Sequence, residues 1–546
     1  MATSASATLL KFCFSLALFC FPFIAFASDN HTHHQYFFQC LSLNSANSTS
    51  ISKIIYTPIN STYTSVLDLS IQNLRFRTPY VPKPLVIVTP LDVSEAKAVV
   101  YCTRKTGLQL LVRSGGHDYE GQSYISSAPF VILDLSNLRS ITIDVEDATA
   151  WVGSGATLGE VYYRIGEKSK TLGFPAGICP TVGVGGHFSG GGYGSMMRKY
   201  GLAADNIIDA HIIDVNGNLL DRESMGEDHF WAIRGGGGGT FGVVVSWKIK
   251  LVVVPETVTI LAAVRTENVT NLVHKWQYIA PDFPKELYMS LILQSAVGQD
   301  GNPTMRATFN TLYLGGVDEL LNITGTRFPE LGLTREECLE TRWVNSTLIF
   351  SGITGQPLET LLNRRSNTRV YFKNKSDYVK EPMSETVLEE IWEWILKEDP
   401  GVEVMQWEPY GGRMSEISES ALPFPHRAGN VFKIHYMTSW TNGSAEESNR
   451  HLNWIRSFYG FMAAHVSKSP RSAYLNYRDL DIGRNNEYGS TSYEQASVWG
   501  TKYFNMNFDR LVKVKTAVDP DNFFRNEQSV PPFSQFSQCD SGSYIE

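Results

Sequence analysis

Several common signals are missing from the sequence. Acids outnumber bases, 55 against 47, and no block of Lys and Arg stands out. Without a basic stripe there is no electrostatic footprint for nucleic acid. No Gly-Lys-Ser/Thr follows any glycine run, which excludes a Walker loop. No CxxC pair or His-rich tract has zinc spacing, so no metal site is expected. Past the N-terminus, no apolar run reaches the roughly 20 residues that span a bilayer. Charged residues make up 19% and aromatics 12%, a composition that excludes a mainly disordered chain. At 546 residues the chain exceeds one compact core, so two or three domains are expected.

What is present begins with a targeting segment. After Lys11, an apolar run from Phe12 to about Ala27 ends in the small-x-small pattern Ala25-Phe26-Ala27. This reads as a secretory signal peptide over residues 1–27, cut after Ala27. Sequons at Asn30, Asn47, Asn60, Asn268, Asn322, Asn345, Asn374 and Asn442 agree with secretion, to apoplast or vacuole. Each needs a surface position to carry a glycan. Cys13 and Cys20 leave with the signal. Cys40, Cys102, Cys179, Cys338 and Cys539 remain, an odd number, so at least one is outside an intrachain pair. Cys40 and Cys102 read as a disulfide joining the N-terminal segment to the first helix.

Residues 28–81 are a polar lead-in with one amphipathic stretch around Tyr63–Arg75. Pro84–Pro90 is then a buried strand bounded by prolines, and Ser94–Thr106 has helical spacing stopped by Gly107. Strands follow at Leu108–Arg113, Phe130–Leu135 and Ala150–Val152, a helix from Leu158 to about Leu172, and a strand at Val243–Ile249. Mixed strands and helices imply an α/β or α+β domain. Near Val254-Pro255-Glu256 the character changes. Amphipathic helices then alternate with strands such as Val431–Tyr436, a second domain. The segment Tyr474–Pro532 is again aromatic-rich and could return to the first domain.

Two glycine-rich segments stand out, 113–121 and 177–194. Such loops let backbone N–H groups converge on an anion such as a pyrophosphate. Tight turns and bulges explain most glycine runs, however. Neither segment fits the dinucleotide fingerprint in its strand–helix context. His117 follows two glycines, and Cys179 is framed by glycine and proline. Taken singly, they could be a satisfied surface His and a small buried Cys.

Taken together, the segments resemble the plant berberine-bridge-enzyme-like family, within the vanillyl-alcohol-oxidase group of flavoproteins. The resemblance is carried by Arg-Ser-Gly-Gly-His (113–117), Gly-Ile-Cys-Pro-Thr-Val-Gly-Val-Gly-Gly-His (177–187), Arg-Gly-Gly-Gly-Gly-Gly (234–239), Leu-Asn-Tyr-Arg-Asp-Leu-Asp (475–481) and Asp-Pro-Asp-Asn-Phe-Phe-Arg-Asn-Glu-Gln-Ser (519–529). Tyr200–His211 and His451–Arg456 are similar to the cannabinoid-acid synthases and their mulberry relatives.

The resemblance implies an α+β chain. A two-part PCMH-type FAD-binding domain would span 82–256, with residues 476–546 returning to it. A substrate domain of antiparallel sheet backed by helices would span 257–475. It implies FAD held by two covalent bonds, from His117 to the 8α-methyl group and from Cys179 to carbon 6. Arg113, Ser114, Gly115, Gly116, Gly177, Val182, Gly185, Gly186, His187 and Gly192 would line the cofactor. The expected partners are a small phenolic substrate and dioxygen, with no nucleic acid, no membrane after signal cleavage, and a monomeric chain.

The implied reaction is hydride transfer from a substrate carbon to the flavin, with a proton taken from a nearby hydroxyl. By resemblance Tyr477 is the base. A free tyrosine titrates near ~10, so neighbours must lower it, and Lys433 is the expected neighbour. Lys433 and His435 lie two apart on a strand and so share a face. Relatives carry Gln, Glu or a bulky aromatic where His435 stands. It is either a second base or a pocket wall. Tyr119 and Tyr193 match tyrosines lining the pocket of monolignol-oxidising members. Val182 matches the oxygen gate, where valine goes with oxidases and leucine with dehydrogenases. The reading is a secreted oxidase of phenolic or prenylated plant metabolites that releases hydrogen peroxide. Oxidation would form a quinone methide or a diene, with cyclisation. The alternatives are oxidation of a carbohydrate or a monolignol, a redox-neutral Diels–Alder cyclase that keeps FAD, and a pollen-allergen-like or storage glycoprotein.

Overall fold

The computed structural model describes residues 35–45, 52–365, 369–398, 403–487 and 489–533. The expected signal peptide, Asn30, Asn47 and Cys539 lie outside these residues.

Three sheets carry the architecture. The first contains β1 (Ile55–Tyr56), β2 (Val86–Val88), β3 (Gln109–Arg113) and β4 (Phe130–Asp134) in the order β1-β2-β4-β3. β2, β4 and β3 are parallel, and β1 joins β2 antiparallel. The all-apolar cores Val86-Ile87-Val88 and Phe130–Leu133 are buried throughout, as strands covered on both faces require. α1 (Val93–Lys105) connects β2 to β3. Asp92 caps it, accepting from Glu95 N at 3.0 Å, and Cys102 on its buried face is disulfide-bonded to Cys40. The lead-in contributes more than polar chain. Its β1 extends the sheet, and Phe37, Leu41 and Ile54 are packed into the same core as Val86 and Val99.

The second sheet is antiparallel. It orders β5 (Ile141–Asp144), β6 (Thr149–Gly153), β8 (Ile207–Ile213), β9 (Leu219–Leu220) and β10 (Val243–Lys250) as β5-β6-β10-β8-β9. β7 (Leu172–Gly173) pairs separately with β11 (Val252–Val253). α2 (Leu158–Lys168) starts at a capping box of Thr157 and Glu160, and α3 (Val184–Ser189) is a short helix inside the second glycine segment.

The third sheet is a seven-stranded antiparallel array. Its strands are β12 (Val258–Arg265), β13 (Leu287–Val297), β14 (Pro303–Tyr313), β15 (Leu339–Thr341), β16 (Tyr371–Val379), β17 (Glu403–Pro409) and β18 (Phe432–Trp440), ordered β15-β12-β14-β13-β17-β18-β16. α4 (Val269–Ile279), α5 (Glu385–Leu396) and α6 (Ala445–Met462) share one core with Met405, Trp407, Phe432, Ile434 and Tyr436 of the sheet. Strand periodicity then sends Gln406, Glu408, Lys433 and His435 to the opposite face. The chain is thus α+β, with helices backing one face of the sheet and a polar row on the other.

α7 (Tyr493–Phe504) and α8 (Asn507–Val518) pack Trp499, Tyr503, Phe508 and Leu511 into the core that holds Phe230, Trp231 and Trp247. This late segment therefore shares a core with residues that precede the third sheet.

Candidate active site

The two glycine segments lock together. Ser114 Oγ donates to the Ser154 carbonyl at 2.6 Å, and a Cβ on Gly115 would lie 2.3 Å from Gly183 N. The absence of a side chain is a packing requirement at that crossing. Gly186, by contrast, faces open space. Gly177 and Gly192 are both pressed against the His187 ring, whose Nε2 accepts from Gly177 N at 3.0 Å. His187 therefore braces the loop, and this lone pair is unavailable to a cofactor. Arg113 also departs from expectation. Its guanidinium is 0% exposed, held by Asp134 and by the carbonyls of Val66 and Leu67. The side chain anchors the loop from behind.

His117 and Cys179 are brought close by the interlock. The His117 ring hydrogen-bonds to the backbone of Thr181, two residues from Cys179, and its Nε2 is buried with no protein partner. Burial pushes this imidazole down to about 4, so it is neutral at pH 7. Cys179 is a free thiol. It is exposed, yet surrounding protein pushes the thiol above its ordinary pKa, as in a concave site. An unpartnered neutral imidazole, a free thiol and the open space at Gly186 fit a bound FAD. The first two are the groups able to hold it covalently.

Tyr119, His435 and Tyr477 form an aromatic wall. The His435 and Tyr477 rings stack at 3.8 Å, and Tyr119 lies 5.5 Å from Tyr477 and 5.8 Å from His435. The interplanar angles are 19°, 17° and 3°, so the three rings are nearly parallel. The Tyr477 hydroxyl touches that of Tyr193, which in turn reaches Glu408 Oε1 at 3.4 Å. Lys433 Nζ sits 3.0 Å from the Tyr193 ring centroid, 4.7 Å from that of Tyr477 and 4.8 Å from that of Tyr474. It is a cation–π cage with Glu408 across the strand pair.

The structure brings Lys433 beside Tyr477, as its strand position predicts. The ammonium lies against ring faces, not at a phenolic oxygen. Burial pushes Tyr477 and Tyr193 well above 10, and it pushes Lys433 well below its ordinary value against the pull of Glu408. His435 is pushed well below 6.5, first by burial and then by Lys433, and its Nε2 is buried without a partner. It is a neutral ring in the wall.

Asn374 is another correction. It lies on β16 at 7% exposure, near enough to Tyr119 to offset part of the burial that raises the tyrosine's pKa. It is a site residue, not a surface glycan acceptor. Asn60, Asn268, Asn322 and Asn442 are exposed, and Asn345 is half-buried. Cys338 is a free, half-buried thiol. Glu408 was missed by sequence reasoning. The alternation Met405-Gln406-Trp407-Glu408 carried the signal, a polar face inside a buried strand.

Known proteins extend this picture. The family model described as FAD binding domain matches residues 84–222, and that for berberine and berberine like proteins matches residues 473–531. Cannabidiolic acid synthase-like 2 of Cannabis sativa is 51% identical over 91% of this chain and 93% of its own length. Tetrahydroberberine oxidase of Berberis wilsoniae is 49% identical over 98% and 99%. A grass pollen allergen, whose wild type is described as a glucose dehydrogenase, superposes with a TM-score of 0.86 at 44% identity, covering 91% of this chain and 100% of its own. A single isoleucine-to-valine variant of that allergen is described as a glucose oxidase. The chain belongs to the berberine-bridge-enzyme-like family of FAD-dependent oxidoreductases.

Proposed function

We propose that the chain is a secreted oxidase of phenolic or prenylated plant metabolites, with FAD held at both His117 and Cys179. The observation that carries this reading is the aromatic wall of Tyr119, His435 and Tyr477 beside paired tyrosine hydroxyls. When bound, the flavin supplies the hydride acceptor and is reoxidised by dioxygen. The protein's own residues orient the substrate and move its proton. Near-parallel rings suit a flat aromatic substrate by stacking. Tyr477, partly exposed in that wall, meets the substrate hydroxyl and accepts its proton as it passes its own to Tyr193. His435, neutral and lacking a partner at Nε2, offers one further hydrogen bond to the substrate. Val182 would gate oxygen. The allergen variant described above, in which valine accompanies oxidase activity, supports that assignment.

Carbohydrate oxidation is the second reading, favoured by that same allergen. Oxygen uptake by the purified protein, challenged with coniferyl alcohol, a prenylated phenol and glucose, separates the two. Uptake with a phenol supports the proposal, and uptake with glucose alone replaces it. Phenol product formed without oxygen uptake identifies a redox-neutral cyclase.

A further inference from the structure

Glu408 is a buried carboxylate that the reaction as described above leaves unused. It stands on β17 directly across from Lys433 on β18. Oε1 accepts from Gln406 Nε2 and, at 3.4 Å, from the Tyr193 hydroxyl. Oε2 is buried with no hydrogen-bond partner. Since Tyr193 also touches the Tyr477 hydroxyl, a continuous path of oxygens runs from Tyr477 through Tyr193 to Glu408. Tyr477 cannot be the end of that path. Burial disfavours its anion, and Lys433 lies on ring faces. A proton taken at Tyr477 must move on.

We infer that Glu408 is the terminal proton acceptor of a Tyr477–Tyr193 relay, a positioning residue that acts through the two tyrosines without touching substrate. The inference rests on Tyr477 meeting the substrate hydroxyl. The substrate O–H bond breaks and its proton goes to Tyr477 Oη. The Tyr477 proton passes to Tyr193 Oη, and the Tyr193 proton to Glu408 Oε1. Both tyrosines end neutral, and the carboxylate becomes a carboxylic acid. The electron pair of the substrate C–H bond leaves as hydride to the FAD that the family's activity supplies.

The groups around Glu408 come from four elements. Lys433 faces it from β18, with His435 two residues further on, across from Gln406. Tyr193 reaches it from the loop after α3, Tyr477 from the turn at 475–477, and Gln406 and Tyr410 from its own strand and the residue after it. Burial favours the acid, whereas Lys433 and the Tyr193 hydrogen bond favour the carboxylate. The balance is pushed up to about 7, where a relay acceptor can reload at neutral pH.

The test is an infrared pH titration of the yellow holoprotein without substrate. A protonated-carboxyl band should titrate near pH 7 in wild type and be absent from Glu408→Gln. Asp377 and Glu403, pushed up to about 6 and about 8 by burial, also titrate nearby, so the wild-type-minus-Glu408→Gln difference isolates the band. Tyr193→Phe should move its midpoint to higher pH, because a hydrogen bond to the carboxylate is lost. Retained flavin colour reports folding, and Glu408→Asp should restore a titrating band. Anaerobic bleaching by coniferyl alcohol should then rise with pH through the same midpoint in wild type. In Glu408→Gln it should be flat and slower by about 10²-fold, with the limb recovered in Glu408→Asp. An unchanged midpoint in Tyr193→Phe, or a wild-type limb in Glu408→Gln, overturns the relay. If coniferyl alcohol bleaches no variant, wild type included, the substrate reading fails by itself, and the Tyr193→Phe infrared shift still decides the relay.

Discussion

Lys373→Met tests the joint that sets His117 against Tyr477. Lys373 is 2% exposed on β16. Its Nζ contacts Glu120, three residues after His117, and Asp479, two residues after Tyr477, the latter at 2.7 Å; Asp481 lies at 3.5 Å. Methionine keeps the apolar stem and removes the charge. Asp479 and Asp481 would retain Lys375 at 2.6 and 2.9 Å, and Asp481 also Arg456 at 2.9 Å. Glu120 would retain only Arg75, at 3.9 Å. Breaking a buried pair costs roughly 3–5 kcal/mol. Because one carboxylate of three loses its main partner, the lower end applies, about 3 kcal/mol. That is roughly a 10²-fold shift in equilibrium. The assay is urea unfolding followed by tryptophan fluorescence, with turnover read in parallel. In the variant the buried Glu120 carboxylate is left with the distant Arg75, so its charge opposes folding. The deficit should therefore be present at neutral pH and disappear as pH falls below the ordinary glutamate value, ~4.3, where protonation removes the charge. Adding Glu120→Gln should recover part of the loss by removing the buried charge. A wild-type urea midpoint in Lys373→Met, or no recovery in the double variant, would refute the reasoning.

Four further outcomes are expected. Tyr477→Phe should keep the yellow colour and lose roughly 10²–10⁴-fold in turnover, measured by oxygen uptake with coniferyl alcohol. Denatured His117→Ala/Cys179→Ala should release its flavin to the supernatant on filtration, whereas either single variant should retain colour through the other bond. Val182→Leu should slow reoxidation of the reduced enzyme by oxygen in stopped flow and leave anaerobic bleaching by substrate unchanged. Glu403 is pushed up to about 8 by burial, so its ionisation opposes folding as pH rises from the ordinary carboxylate value through 8. Glu403→Gln should accordingly gain urea resistance over wild type at pH 9 and none at pH 4.

Legibility of the fold followed the kind of signal. Pro84–Pro90, Phe130–Leu135 and Val243–Ile249 are apolar runs with clear punctuation, and the structure has strands at Val86–Val88, Phe130–Asp134 and Val243–Lys250. The helix from Leu158 is shorter than its apolar pattern, ending at Lys168, because residues 172–173 are drawn into pairing with β11. The lead-in reads as polar with one amphipathic stretch, which does bury Tyr63, Leu67 and Ile71, whereas Phe37, Leu41 and Ile54 join the core through packing that no periodicity signals.

At the site, the sequence by itself determined residue chemistry and order. It put a histidine and a cysteine in two glycine segments, a lysine and a histidine on one strand face, and a tyrosine near the end of the chain. Those are local properties, set by spacing and periodicity. Tertiary structure decided which groups meet and what charge each carries. It turned Arg113 and His187 inward, buried Asn374, placed Lys433 on ring faces, and brought Glu408 to Tyr193 across 215 positions of chain. Protonation states follow from desolvation and from partners distant in sequence, and neither is encoded in any window of neighbouring residues.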